Sequence, residues 1–178
     1  MNPVILPEKS IVVGLDPGNE HSGIVVLRGG RVDYHAKLTN GDTRSTLQAI
    51  KLDAQEEGQL AQLAVEKIAS YGMAVGQTVF DTCEWCGAFK ELWGLHAHGV
   101  YRREVKMHLC GSTRAKDANI RQALIDRFGP SKEEAIGRKA TPGPLYGFKG
   151  DEWAALGVAL TFWETKCLLN SERRGDIK

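Results

Sequence analysis

Three carboxylates are placed in this chain where they could do chemistry together: Asp16, Glu66 and Asp151. Asp16 closes the apolar run Ile11-Val-Val-Gly-Leu15, Glu66 closes the run Leu60 to Val65, and Asp151 opens the last long apolar stretch. A charge directly after an apolar strand is costly unless it is solvated, paired or bound to a cation. Adjacent parallel strands lie about 4.8 Å apart, so Asp16 and Glu66 could share one ion. Hard oxygen ligands of this kind suit Mg²⁺, with Mn²⁺ as a substitute. Two such ions would activate a water and stabilise the leaving oxygen of a phosphodiester. On spacing alone the three residues read equally well as turn residues or helix caps, and that alternative stays open.

The elements that must position them follow from pattern and punctuation. Ile11–Leu15 is rich in β-branched residues and stops at Asp16-Pro17-Gly18, as a buried strand would. Ser22–Leu27 is a second strand, Arg28-Gly-Gly-Arg31 a hairpin turn, and Val32–Leu38 an alternating third strand. Residues 43–57 permit a helix. Leu60–Val65 reads as a fourth strand, with a helical reading still open. Gly76–Trp93 has the length and spacing of a helix, and Gly99–Met107 reads as a fifth strand. Asp117–Phe128 is a helix that Asp117 could cap, that shares Ile120, Ala123, Leu124 and Phe128 on one face, and that ends at Gly129-Pro130. Residues 130–150 read as a loop and Asp151–Leu169 as a closing helix. The order predicts an α/β domain with a mixed five-stranded central sheet, three antiparallel strands first, flanked by helices. One domain is expected over residues 1–170, with a polar tail at 171–178.

The 178 residues are 42% hydrophobic and 25% charged, as in an ordinary globular domain, which excludes disordered, collagen-like and coiled-coil classes. No apolar run approaches the roughly 20 residues of a membrane span, and no secretory signal is read at the N-terminus. With four cysteines and no export signal, reduced thiols and a cytoplasmic location are expected. A net charge of +1 neither announces a nucleic-acid binder nor excludes one, because a local patch is sufficient.

Asp16-Pro-Gly-Asn-Glu-His-Ser-Gly23, directly after Ile-Val-Val-Gly-Leu, resembles the opening motif of RuvC-type Holliday junction resolvases. Leu63-Ala-Val-Glu66-Lys is similar to that family's second motif, an apolar strand ending in a catalytic Glu, and Ala74-Val-Gly-Gln77 to the start of the helix after it. Lys149-Gly-Asp151-Glu-Trp-Ala-Ala-Leu-Gly-Val-Ala-Leu160 resembles its last helix. Residues 114–129 resemble RuvC-like proteins of phage and prophage origin. The likeness spans nearly the whole chain in order. It implies a ribonuclease H-like fold, a homodimer, and a Mg²⁺-dependent endonuclease that resolves four-way DNA junctions by paired nicks, with Asp16, Glu66 and Asp151 as metal ligands. One position departs from the pattern. The family usually carries a second acid three residues into the last helix, where this chain has Ala154. Glu152 diverges from Asp151 by about 100° around a helix and does not replace it. The site then uses three carboxylates, borrows a fourth group, or is weakened. Other branched DNA or RNA–DNA hybrids as substrate, and a non-catalytic junction binder, remain alternatives.

Residues 101–121 hold Arg102, Arg103, Lys106, Arg114, Lys116 and Arg121 against Glu104 and Asp117, an excess that could bind phosphates without reading sequence. Lys106, Arg114, Lys116, Arg121 and Lys149 are the expected phosphate contacts, set against a plain solvated face. Tyr71 could stack on an unpaired base, or simply pack at the sheet edge. His21 could approach a phosphate, or be an ordinary loop residue. Trp85, Trp93, Trp153, Phe162 and Trp163 are expected in packing. Cys83 and Cys86 with His96 and His98 have the residue types for zinc but a short spacing, and packing is favoured.

Overall fold

In a computed structural model, which describes residues 10–70, 72 and 74–168, the chain starts as an antiparallel meander. Strands β1 (Ile11–Asp16), β2 (His21–Arg28) and β3 (Arg31–Thr39) follow one another, and Gly29 and Gly30 make the β2–β3 turn with φ of 55° and 77°. Both values lie in the left-handed region that a two-residue hairpin of matching twist requires and that glycine adopts without strain. Between Val26 and Leu27 the register slips: Leu27 faces Val32, but Val26 faces Tyr34. Asp33 is thus the extra residue of a bulge, and its carboxylate takes the Arg28 Nε–H at 2.8 Å.

Helix α1 (Asn40–Glu56) begins where Thr39 Oγ1 accepts the Asp42 N–H at 3.2 Å. It is followed by β4 (Ala61–Lys67), α2 (Gln77–Trp93) and β5 (Ala97–Tyr101). β4 runs parallel to β1 and β5 parallel to β4, so the sheet is mixed and five-stranded, as the sequence predicts, and its order is β3-β2-β1-β4-β5. One face is covered by α1 and α2, packing Leu47, Phe89 and Trp93 on Ile11, Val13, Leu15 and Leu63. The other face receives α3 (Arg102–Cys110), α4 (Asp117–Phe128) and α6 (Asp151–Phe162). α6 is apolar on nearly every side, as a helix enclosed by a sheet and other helices must be. It lies close on β1: a Cβ at Gly14 would collide with the Ala155 carbonyl oxygen and stand 2.6 Å from the Ala159 Cβ.

Four expectations change. The segment read as a strand over Gly99–Met107 is strand only to Tyr101, and α3 begins at Arg102. The Glu104 carboxylate reaches back to the Tyr101 N–H at 2.7 Å, and Val105 and Leu109, one turn apart, point inward. That local capping and spacing outweigh the β-branched composition. Asp117 does not cap α4. Lys116 holds the cap position, with its N–H on Asn119 Oδ1 at 2.8 Å. The loop 130–150 contains the single turn α5 (Lys132–Ala135) and the small ladder of β6 (Gly137–Arg138) with β7 (Thr141–Pro142). The closing helix also loosens after Phe162 into a π-helical segment, Trp163–Leu168. The tail expected at 171–178 lies outside the described residues. Among the described residues no helix is long and apolar enough to cross a membrane.

Candidate active site

The register of the sheet carries the site. Leu15 pairs with Val65, so Asp16 and Glu66 are the next residues along two adjacent parallel strands. By alternation both side chains point to the face that holds Gly14 and Ala64, the face α6 covers. On the other side of Asp16 stands Gly23, and opposite Gly23 stands Lys37. Asp151, first residue of α6, comes down on Gly23: a Cβ there would lie 2.5 Å from the Asp151 carbonyl oxygen and 3.0 Å from its Cβ. The absent side chain at Gly23 is what lets the third carboxylate approach the other two. The loop after Asp16 is fixed from below, because Asn40 donates to the Gly18 carbonyl at 3.0 Å and accepts the Ser22 hydroxyl at 2.6 Å.

Asp16 feels both of the other carboxylates. Burial pushes the Asp16 carboxyl from 3.8 up to about 7, and the charges of Glu66 and Asp151 push in the same direction. Glu66 is only 8% exposed, and burial raises it also, against the Arg102 guanidinium beside it. Arg102 Nη1 lies 3.2 Å from Glu66, and its Nη2 donates to Asp117 at 2.6 Å, tying the start of α4 to the site. On the far side Lys37 Nζ lies 2.7 Å from Asp151 Oδ2, and that bond holds the ammonium above its ordinary range. Among the described residues no three His, Cys, Asp or Glu side chains converge tightly enough to grip an ion as they stand. The outer two carboxylates are turned to Lys37 and Arg102. The donor set nevertheless suits a hard divalent cation: three carboxylates on one face, the central one buried and driven up by its neighbours, would all be relieved by a cation.

Glu152 is the buried neighbour that points elsewhere. It accepts the Lys149 N–H at 2.7 Å and lies 3.3 Å from His35 Nδ1, while His35 stacks on Phe148. It secures the loop before α6 and leaves Ala154 without an acidic stand-in.

Of the expected phosphate contacts, Lys106 lies one turn beyond Arg102 on α3, close enough to lower Glu66. Its place on a helix, not a strand, puts Arg102 and Lys106 on one side. Arg114 and Lys116 are exposed around the start of α4, the end that Arg102 ties to Glu66. Arg121 is exposed and lies over the Trp153 ring at 4.7 Å. Lys149 is exposed in the loop leading to Asp151. His21 is exposed at the start of β2. Tyr71 lies outside the described residues. Trp93 and Phe162 are buried, and Trp85, Trp153 and Trp163 are half-buried in packing. Cys86 packs with Phe89 on one face of the sheet and His98 stacks on Phe162 on the other, so the cysteine pair and His98 do not share an ion.

Sequence reasoning missed the partners of the carboxylates. Arg102 was visible only as one basic residue among six, and Lys37 only as part of a strand. The hairpin turn and the glycine of the first motif point toward a β3 residue opposite Gly23. The bulge decides which residue that is.

No family model matches the chain, and no curated protein matches it. Solved structures do. The structure of T. thermophilus RuvC in complex with a Holliday junction substrate superposes with a TM-score of 0.57 at 18% identity, covering 89% of this chain and 95% of that one. A second Thermus thermophilus RuvC structure gives 0.55 at 18% identity, over 93% and 96%. The chain therefore shares its fold with these RuvC structures over 89–93% of its length.

Proposed function

We propose that this chain, folded as RuvC is, acts as a divalent-metal-dependent, structure-selective endonuclease that cuts four-way DNA junctions. The observation that carries the reading is the gathering of Asp16, Glu66 and Asp151 at one end of the sheet's interior strands, with Asp16 driven up by burial and then by its two neighbours. Asp16, Glu66 and Asp151 are the residues that would hold Mg²⁺ or Mn²⁺. Bound there, the cation supplies Lewis-acid activation of water and stabilises the leaving oxygen of the phosphodiester. The chain's own residues do the rest. Lys106, Arg114, Lys116, Arg121 and Lys149, with Tyr71, hold the backbone and bases of the branch against the site, and Arg102 aims Glu66 and opposes the upward push of burial on it. A homodimer would present two such sites to a two-fold junction and nick symmetric strands. Of two such ions, one would have its ligands on the adjacent strands β1 and β4. The other would lie toward Asp151, where Lys37 already stands.

Ala154 favours one second reading, a junction binder that does not cut. A labelled four-way junction, a linear duplex and an RNA–DNA hybrid, each with Mg²⁺, Mn²⁺ or chelator, separate the two. Paired symmetric nicks on the junction alone, lost with chelator and in Asp16→Asn while binding survives, are the expected result. Unchanged cutting by Asp16→Asn would remove Asp16 from the mechanism. Cutting of the hybrid would keep the chemistry and change the substrate. Tight junction binding without a nick would establish the binder.

A further inference from the structure

Two basic side chains are built into the carboxylate row, one at each end. Arg102 spans Glu66 and Asp117, and Lys37 reaches Asp151 from the edge strand β3. We propose that Lys37 is a built-in cation that stands in for a second divalent ion beside Asp151, so that the site takes a single ion, held by Asp16 and Glu66. This rests on the endonuclease reading above.

Electrostatics point the same way: a second divalent ion beside Asp151 would add two positive charges next to the Lys37 ammonium already paired there at 2.7 Å.

Ligand supply agrees. Near Asp151 the helix offers Ala154 on the next turn, and the Glu152 carboxylate is committed to the Lys149 N–H and His35. A second ion would have to share the Asp151 carboxylate with an ammonium 2.7 Å from one of its oxygens. Mg–O bonds of about 2.0–2.1 Å would bring the two cations within a few ångströms of each other.

The backbone position of Lys37 is set by the strand register: the Asp33 bulge shifts β3 by one residue and puts Lys37 opposite Gly23, the residue on which Asp151 packs.

The test counts ions and does not depend on cleavage. Half of the Lys37 side chain is exposed, so Lys37→Met and Lys37→Arg should leave the fold intact, which a melting curve verifies. Mn²⁺ is titrated into the metal-free full chain by calorimetry and followed by electron paramagnetic resonance. The wild type and Lys37→Arg are expected to take one ion per chain, with the signal of an isolated Mn²⁺. Lys37→Met is expected to take two, with the broadened signal of a coupled pair. Two ions in the wild type, or one in Lys37→Met at saturating Mn²⁺, would overturn the proposal and leave the junction assay to stand or fall alone. No ion in any of the three would overturn both.

Discussion

At the scale of the residue, Asp16 concentrates the consequences of the site. It sits in the middle of the row, with Glu66 on the adjacent strand, Asp151 above Gly23, and Arg102 and Lys37 opposing them. Its folded-state value of about 7 exceeds the unfolded 3.8. Between those values the folded chain holds a proton that the unfolded chain releases, so stability falls as pH rises from about 4 to about 7. Asp16→Asn, which carries no charge at any pH, is expected to melt like the wild type at pH 4 and above it at pH 8. The difference approaches about 4 kcal/mol at most, the full linkage value of that shift. Added Mg²⁺ should narrow the gap at pH 8 by stabilising only the wild type. Melting curves across that range without Mg²⁺ check it, and a gap that does not grow with pH would contradict the crowding of the three carboxylates.

At the scale of the element, the contact of α6 with β1 and β2 governs the site. Two glycines permit it, Gly14 beneath Ala155 and Ala159 and Gly23 beneath Asp151. A methyl group at Gly14 meets backbone that cannot swing aside. Gly14→Ala should therefore cost about 3 kcal/mol or more, at the upper end of overpacking, and lower Tm by about 6–12 °C for a chain of this size. Thermal unfolding measures this, and a loss under about 1 kcal/mol would mean that α6 rides higher on the sheet. The boundary between β5 and α3 matters in the same way. Because the chain turns helical at Arg102, its guanidinium reaches both Glu66 and Asp117, and Lys106 follows on the same side.

At the scale of the whole molecule, a net charge of +1 gives no general attraction to DNA, so binding must come from a local field. The exposed Arg114 and Lys116 and the nearby Lys106 put positive charge around the start of α4, the end that Arg102 fastens to Glu66. Lys116→Ala is expected to weaken binding to junctions of any sequence by a similar factor. It should also reduce the slope of log affinity against log salt by about one, the signature of one lost phosphate contact. Fluorescence anisotropy over a salt series reads both, and an unchanged slope would place Lys116 off the DNA.

Much of this was legible in the residues. Apolar runs broken by Asp16-Pro17-Gly18 and Gly29-Gly30 give the order of the strands, and short connections make the first three antiparallel. A carboxylate at the end of each of two strands and at the head of the last helix gathers at one end of the sheet once the two strands lie side by side. Local pattern carries that much because strand period, turn chemistry and helix capping are properties of neighbouring residues. The tertiary structure alone decided which charges answer the carboxylates. A regular hairpin would have set Ala36 opposite Gly23. The one-residue bulge at Asp33, braced by Arg28, turns Lys37 to that face, and capping by Glu104 turns Arg102 toward Glu66. In a sheet a shift of one residue exchanges the two faces, and no local sequence period encodes such a shift.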